Sequence, residues 1–249
     1  MAKRPITVDD LSRLIFVGDP QVSPDGTSVL FAKKVADEKK KYLTHLCSVD
    51  LKGVVKQWTQ GADSAGAGRW APDGSTIAFV TDRDKKGAQI HLISTAGGEA
   101  RKLTELPEGA IGDLRWSPNS KLIGFTFRPT AEAFTKKAQK TRESDGGATP
   151  PVEIDDIWYR LDGDGTFGNQ RFKLFLADVA DGAVRELYKG DPMGMYAFDW
   201  APDSSELVVA HSAKAKPFRR ANSMGSPLNS PTHAEFPSPW LPRCGASRA

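Results

Sequence analysis

The fold of this 249-residue chain is decided by residues 70–80, which read WAPDGSTIAFV. Proline fixes its own φ near the value that the second position of a tight turn requires, and Asp and Gly suit the third and fourth positions. The turn is followed by a short run rich in β-branched and aromatic residues, which is typical of a strand. The stretch therefore predicts one strand closed by a tryptophan, a tight turn and a second strand.

This turn recurs along the chain. The four copies are Ser23-Pro24-Asp25-Gly26, Ala71-Pro72-Asp73-Gly74, Ser117-Pro118-Asn119-Ser120 and Ala201-Pro202-Asp203-Ser204. Their prolines lie 48, 46 and 84 residues apart. A tryptophan stands two residues before three of the prolines, at Trp70, Trp116 and Trp200. We expect these tryptophans to close the preceding strand and to pack between repeats.

A second motif repeats independently: a strand, a glycine turn, a basic residue and then a large residue. Its glycines, Gly53, Gly98 and Gly182, lie 45 and 84 residues apart. Both motifs miss their period at the same place, so the third copy carries an insertion, at about residues 129–155. Four short strands per copy at a period of about 45 residues predict a β-propeller. A β-sandwich is the alternative, but its strands need not repeat.

The predicted fold class is all-β: a partial propeller of about three and a half four-stranded blades in an open ring, over residues 1–212. Residues 213–249 are rich in Ser, Pro, Ala and Arg and lack strand alternation, a composition typical of disorder. We interpret this tail as disordered or out of frame. The hypothesis is a reading-frame shift near residues 213–225, which translation of the next frame tests. The alternative is a naturally short protein with an unstructured tail.

Composition narrows the function classes. A net charge of +3 gives no nucleic-acid footprint, and no window approaches the roughly 18 apolar residues of a membrane helix. The N-terminus has two basic residues without the apolar stretch of a secretory signal. Cys47 and Cys244 are too far apart to suggest a disulfide framework. We expect a reduced, cytoplasmic protein without nucleic-acid or membrane partners.

Two segments resemble a known family. Residues 6–26 and the run WYRLDGDG at residues 158–165 are similar to the start and to an inner segment of acylaminoacyl-peptidase-like (acyl-peptide hydrolase) serine peptidases. These belong to the prolyl oligopeptidase superfamily. The resemblance covers about residues 6–212. It implies a propeller of seven or eight blades that caps an α/β-hydrolase domain and screens peptide substrates by size, while the hydrolase cleaves them.

The chain departs from that family in its chemistry. An α/β-hydrolase exposes its serine on a Gly-x-Ser-x-Gly turn, and the nearest string here is residues 245–249, which have no helix after them. The four histidines are His45, His91, His211 and His233. His45 and His91 lie at equivalent repeat positions, which favours structural roles. We therefore predict no catalytic, cofactor-binding or metal-binding residue and no cofactor.

One segment has a faint likeness to a calcium-binding loop. Residues 162–169 combine Asp, Gly and Asn, but the twelfth position, counted from Asp162, is Lys173 where an EF-hand loop has a carboxylate. A turn rich in Gly and Asp is the better interpretation.

The sequence leaves two principal functions open. The first is the non-catalytic, substrate-gating or scaffold portion of an acylaminoacyl-peptidase-like enzyme whose hydrolase domain is missing. The alternative is a stand-alone TolB-like propeller that mediates protein or peptide interactions. An active peptidase would need a separate hydrolase chain, so enzymatic activity stays undecided. An open ring exposes strand edges and apolar flanks, so we also expect self-association through them.

Overall fold

The computed structural model describes residues 4–37, 41–155, 158–162, 164–190, 193–195, 197–212 and 221–227, of which Ser212 and 221–227 are described by backbone alone. After a short 3-10 helix (Val8–Arg13), strands form four successive antiparallel sheets, one for each copy of the turn. The predicted all-β propeller with an open ring is confirmed. We call the sheets blades one to four.

The first two blades follow the chain without interruption. Blade one consists of β1 (Phe16–Val22), β2 (Ser28–Ala36), β3 (Tyr42–Asp50) and β4 (Val55–Gln57). Blade two consists of β5 (Ala65–Trp70), β6 (Thr76–Thr81), β7 (Gln89–Ser94) and β8 (Arg101–Lys102). In each blade, neighbours in sequence are neighbours in the sheet.

Blade three contains the insertion between its second and third strands. Its elements are β9 (Gly109–Trp116), β10 (Leu122–Pro129), a 3-10 turn (Glu132–Phe134), α1 (Lys136–Asp145), the small hairpin β11 (Arg160–Leu161) and β12 (Gly165–Thr166), then β13 (Lys173–Asp178) and β14 (Val184–Tyr188). Because β13 pairs directly with β10, residues 130–172 leave the sheet and return to it. This connection contains the predicted insertion except for Pro129, which ends β10, and extends beyond it to the segment that carried the family resemblance.

Blade four has three described strands. They are β15 (Ala197–Trp200), β16 (Glu206–Ser212) and β17 (Ala221–Pro227). β17 lies within the region predicted to be an unstructured tail, yet its backbone pairs with all seven residues of β16. Ladder bonds use main-chain groups, so they can form without the side-chain alternation on which the sequence argument relied. Residues 213–220 and 228–249 lie outside the described residues, so the domain boundary at 212 stays a prediction.

The core lies between blades, as propeller geometry requires. Strand β6 shows how: Ile77 and Phe79 pack toward blade one, whereas Ala78 packs toward blade three. The period-2 alternation of a strand produces this two-sided burial. On β10, Gly124 faces blade four so closely that a Cβ there would approach the ring of Phe198 to 2.9 Å. Each central blade is therefore covered on both faces by apolar contacts.

The repeated turn behaves as predicted. In all four copies, the N–H of the fourth residue donates to the carbonyl of the first at 2.8–2.9 Å. The fourth position has a positive φ, between 60° and 73°, whether it is Gly26, Gly74, Ser120 or Ser204. Glycine adopts this conformation without strain, whereas in serine it has a small steric cost.

Among the described residues, no helix combines the length and the apolar character that a membrane span requires.

Candidate functional site: the inner rim

The first strand of each blade lies at one edge of its sheet, and β5 contacts both β1 and β9. These strands are the inner wall of the ring. The ends that lead into the repeated turns enclose a cavity of about 340 Å³. We call this region the inner rim. It is lined by Gln21, Val22, Pro24, Arg69, Trp70, Pro72, Asp113, Leu114, Arg115, Trp116 and Asp199.

A ladder of indole hydrogen bonds builds the inner rim. Trp116 Nε1 donates to the carbonyl of Arg69 at 3.1 Å, and Trp200 Nε1 donates to the carbonyl of Arg115 at 3.2 Å. Trp70 Nε1 reaches the equivalent carbonyl of Gln21 at 3.3 Å. Each tryptophan thus closes its own strand and bonds to the strand of the preceding blade. The prediction that they close strands and pack between blades is confirmed.

A second ladder joins the turns. The N–H of Asp73 donates to Ser120 Oγ at 3.2 Å, and the N–H of Asn119 donates to Ser204 Oγ at 3.0 Å. Between blades one and two, the residue equivalent to Ser120 and Ser204 is Gly74, which has no hydroxyl to accept such a bond. Serine at a positive φ is therefore used where its hydroxyl connects two blades.

Charged side chains lie directly before the tryptophans. Arg69 Nη1 bonds to Asp19 Oδ2 of blade one at 2.7 Å. Arg115 Nε bonds to Asp113 Oδ2 at 3.1 Å, and its Nη1 lies 3.6 Å from Asp199 Oδ2 of blade four. Two arginines thus bridge adjacent blades at the mouth of the ring. These pairs are partly exposed, so each contributes little stability, about 0–1 kcal/mol.

A bulge in the inner strands aims these charges. The register shifts between Gly18 and Gln21 in β1 and between Gly66 and Arg69 in β5. Asp19 and Ala67, at equivalent positions in the bulges, both have a φ of 51°. A bulge bends a strand and re-aims its side chains. It therefore directs the acidic and basic groups of neighbouring strands toward each other.

Three of the four histidines lie in blade strands. His45 lies in β3 and His91 in β7, and the Nδ1 of each is buried without a hydrogen-bond partner among the described residues. Burial lowers the pKa of both imidazoles below the usual value. The hydroxyl of Tyr188 lies 3.1 Å from His211 Nε2 in β16. His233, Cys244 and the serine at position 247 lie outside the described residues.

The sequence analysis missed Arg69 and Arg115. A signal was present, because the residue before each of the three rim tryptophans is charged: Arg69, Arg115 and Asp199. Their pairing needed the ring geometry, which brings residues 50 or 84 positions apart into contact. In the part of the chain that the structure covers, no group of three or more His, Cys, Asp or Glu side chains is placed to hold a metal ion.

Comparison with known proteins fits this architecture. The chain is 35% identical over 215 residues to the uncharacterized peptidase YuxL of Bacillus subtilis, covering 84% of this chain and 31% of that protein. The acylaminoacyl peptidase of Pyrococcus horikoshii superposes with a TM-score of 0.67 at 17% identity, covering 90% of this chain and 33% of that one. The chain has the propeller fold of acylaminoacyl peptidases.

The resemblance noted in the sequence is therefore confirmed. The β-propeller domain of the Trilobed protease from Pyrococcus furiosus also matches this propeller, with a TM-score of 0.59 at 16% identity over 91% of this chain and 58% of that one. No protein-family model matches the chain. The propeller spans about a third of the first two proteins, so their complete activities are not carried over by these matches.

Proposed function

We propose that this propeller is the non-catalytic, substrate-gating part of an acylaminoacyl-peptidase-like serine peptidase. The inner rim carries the proposal. Two arginines join neighbouring blades by ion pairs around the mouth of the ring, at 2.7 Å for Arg69–Asp19 and 3.6 Å for Arg115–Asp199. Partly exposed pairs open at low cost. Such a rim admits a narrow peptide and hinders a folded or bulky one.

The gating role is tested in a protein that contains this propeller together with a hydrolase domain. Arg69→Ala combined with Arg115→Ala removes both bridges. We expect cleavage of a long peptide to rise several-fold relative to cleavage of a small acyl-amino-acid anilide, because the mouth opens while the chemistry is untouched. An unchanged ratio of the two rates would contradict gating.

Arg101→Ala is the matched control. Arg101 lies in β8, on the outer side of blade two, and its Nη2 donates to the carbonyl of Val179 in blade three at 2.7 Å. It is thus an arginine that bridges two blades away from the mouth. Its loss should leave the ratio of the two rates unchanged.

A partner chain is part of the proposal. If the hydrolase is a separate polypeptide, mixing it with this chain should increase hydrolysis of the anilide. Neither binding nor a gain in activity would favour the alternative, a stand-alone propeller that binds proteins or peptides. A cytoplasmic location is also part of the proposal, and it is supported by the free thiol of Cys47, since free cysteines are typical of reducing compartments.

Self-association is proposed through the two blade faces that no neighbouring described blade covers, one on blade one and one on blade four. Val22, at the position that tryptophan holds in the other blades, is 68% exposed, and Val208 of blade four is 48% exposed. Exposed apolar faces at open sheet edges favour pairing with another copy. Sedimentation at micromolar concentration should show dimers, and a well-behaved monomer would count against this.

A further inference from the structure

A larger cavity lies at the opposite end of the inner strand β9. The strand ends at Trp116 in the inner rim, whereas its first residues, Gly109 and Ala110, line a cavity of about 660 Å³. Eight residues of strand separate the two ends by about 23 Å. We call this the insertion cavity, because residues 129–131, 134 and 151–153 line it together with the end of β10 and the hairpin β11–β12. Its volume suits a small organic ligand.

The start of the insertion is tied down. The N–H of Thr130 donates to the carbonyl of Glu108 at 2.8 Å, and the carboxylate of Glu108 accepts from the N–H of Lys136 at 2.9 Å. Lys136 Nζ also bonds to Asp82 of blade two at 2.8 Å, which raises the pKa of Lys136. This side of the insertion is therefore held against two blades.

The end of the insertion is held as well. Asn169 Nδ2 donates to Asp155 Oδ2 at 2.8 Å, and Gly168 beside it has a φ of 56°. A Cβ at Gly168 would lie 3.4 Å from a methyl group of Val152, so these two parts of the wall are neighbours. With both ends fixed, the cavity is preformed, which lowers the entropic cost of binding a ligand.

Arg128, at the end of β10, is the polar group of the cavity. Its side chain is only 10% exposed, and its guanidinium lies 4.6 Å from the ring centroid of Phe167 and 4.7 Å from that of Phe172. Two aromatic faces hold the planar group, as cation–π contacts do. The long side chain therefore has a fixed position before any ligand arrives.

This guanidinium has free donors. It carries five N–H groups, and among the described residues its hydrogen bond is the one from Nη2 to Asp164 Oδ1, at 2.7 Å. Its Nε and Nη1 make no hydrogen bond to the described residues, and neither atom is fully buried. The two edges of a guanidinium that offer parallel N–H bonds, Nε–Nη2 and Nη1–Nη2, share Nη2. Because Asp164 takes one hydrogen of Nη2, one of these edges stays open to an acceptor in the cavity that Arg128 lines. A guanidinium edge matches a carboxylate, which accepts two parallel hydrogen bonds.

The remaining walls restrict the class of ligand. Ala110, Phe134 and Val152 contribute apolar surface, which suits a hydrocarbon body. Glu153 and Asp164 also line the cavity, so one carboxylate can bond to the open donors of Arg128 but finds no second cation there among the described lining residues. A second negative charge on the ligand would therefore be repelled.

We propose that the insertion cavity binds a small organic monocarboxylate with an apolar body, whose carboxylate bonds to the free edge of Arg128. The proposal does not depend on the gating role, because the cavity lies at the other end of the strand and involves other residues. It gives the insertion a function that the repeat itself does not provide.

Matched probes test the chemistry of the ligand. The isotope-labelled chain is titrated with 3-phenylpropanoate, with the neutral 3-phenylpropanamide and with the dianionic phenylsuccinate, followed by NMR. We expect saturable shifts at Ala110 and Val152 in the millimolar range with the monocarboxylate, and about tenfold weaker binding of the amide, since charge-assisted bonds are the stronger ones. Phenylsuccinate should also bind more weakly. Equal affinity for acid and amide, or no saturation, would overturn the proposal.

Variants locate the binding site. Arg128→Met keeps the length of the side chain and should weaken binding about tenfold, through loss of the charge-assisted bonds. Asp164→Asn removes the competing carboxylate and should tighten binding. An Arg128→Met variant that retains full affinity, or an Asp164→Asn variant that loses affinity while folded, contradicts the assignment.

A further pair of variants avoids the risk of misfolding. Val152→Glu adds a negative charge to the cavity at a side chain that is 42% exposed, and Val55→Glu makes the same change on β4, at a side chain that is 59% exposed. We expect several-fold weaker binding for the first and no change for the second. The same affinity in both variants would show that the probe binds elsewhere.

Discussion

The two ends of strand β9 are built on different principles. At the inner rim, Trp116 repeats a bond that Trp70 and Trp200 also make, so neighbouring blades support one another. At the other end, the insertion occurs in blade three alone among the described blades, and α1 has no buried residue. Its contacts are individual ion pairs and caps. We therefore expect the blades to unfold together at the rim, and the insertion to open without unfolding the blades.

Removing a rim tryptophan should have the largest effect. Trp116 is 8% exposed and packs in the core between blades two and three, so Trp116→Ala removes a large buried side chain together with its interblade hydrogen bond. We expect a loss of about 3–5 kcal/mol in the free energy of unfolding. Urea denaturation followed by circular dichroism measures it.

Phe134→Ala provides the comparison from the insertion. Phe134 is an aromatic residue that lines the insertion cavity and is only partly buried. Its loss should cost less than about 1.5 kcal/mol, since little apolar surface returns to water. Similar losses in the two variants would remove the distinction between the two ends.

The stability of the propeller should also depend on pH, because a histidine is buried in blade two. His91 is 2% exposed, and burial is the main cause that holds its pKa below the usual value. The unfolded chain therefore binds the proton first as the pH falls. Stability should be complete above about pH 6.5 and should decline between pH 6.5 and the lowered pKa of the folded state.

Urea midpoints at pH 7 and at pH 5.5, which is above the range of most carboxyl groups, measure this decline. His91→Leu should flatten the dependence, leaving the smaller contribution of the half-buried His45. A His91→Leu variant with the pH dependence of the parent would show that another group is responsible.

The repeated part of the molecule was readable from the sequence because each feature occurs several times. Four turns and three tryptophans, two of whose intervals share a period, predicted the strands and their order, and the one longer interval indicated the blade that carries the insertion. The bulges were not readable, since Asp19 and Ala67 share a φ of 51° but no residue type. A backbone shift of this kind is set by the pairing of two strands, and the local sequence gave no sign of it.

The insertion cavity was out of reach for a different reason. Arg128, Phe134, Val152 and Phe167 are separated by irregular chain, and no repeat relates them. Tertiary contacts bring them together, among them those of Glu108, Asn169 and Arg128. A period constrains many residues at once, whereas a single hydrogen bond constrains two and leaves no pattern to detect.

Loss of one hydrogen bond between two turns should lower the free energy of unfolding less than the loss of Trp116. Ser204→Ala removes the hydroxyl that accepts from the N–H of Asn119 at 3.0 Å, between blades three and four, while the positive φ is equally strained in both residues. We expect a loss of about 1 kcal/mol in urea denaturation. Ser205→Ala is the control, because Ser205 Oγ bonds to Asp203 within its own turn. Equal losses would mean that the bond between blades adds nothing.

The smallest effect on stability is expected at the insertion, where another measurement separates the two ends. Lys136→Met breaks the ion pair with Asp82, in which the side chains are 53% and 36% exposed, so unfolding should change by less than about 0.5 kcal/mol. The same change loosens α1, whose Lys137, Lys140 and Arg142 are tryptic sites. Limited trypsin digestion should therefore cut α1 several-fold faster in Lys136→Met than in the parent chain. Faster cutting at constant global stability requires that the insertion opens without the blades, whereas faster cutting that accompanies a lower urea midpoint would make it part of the same cooperative unit.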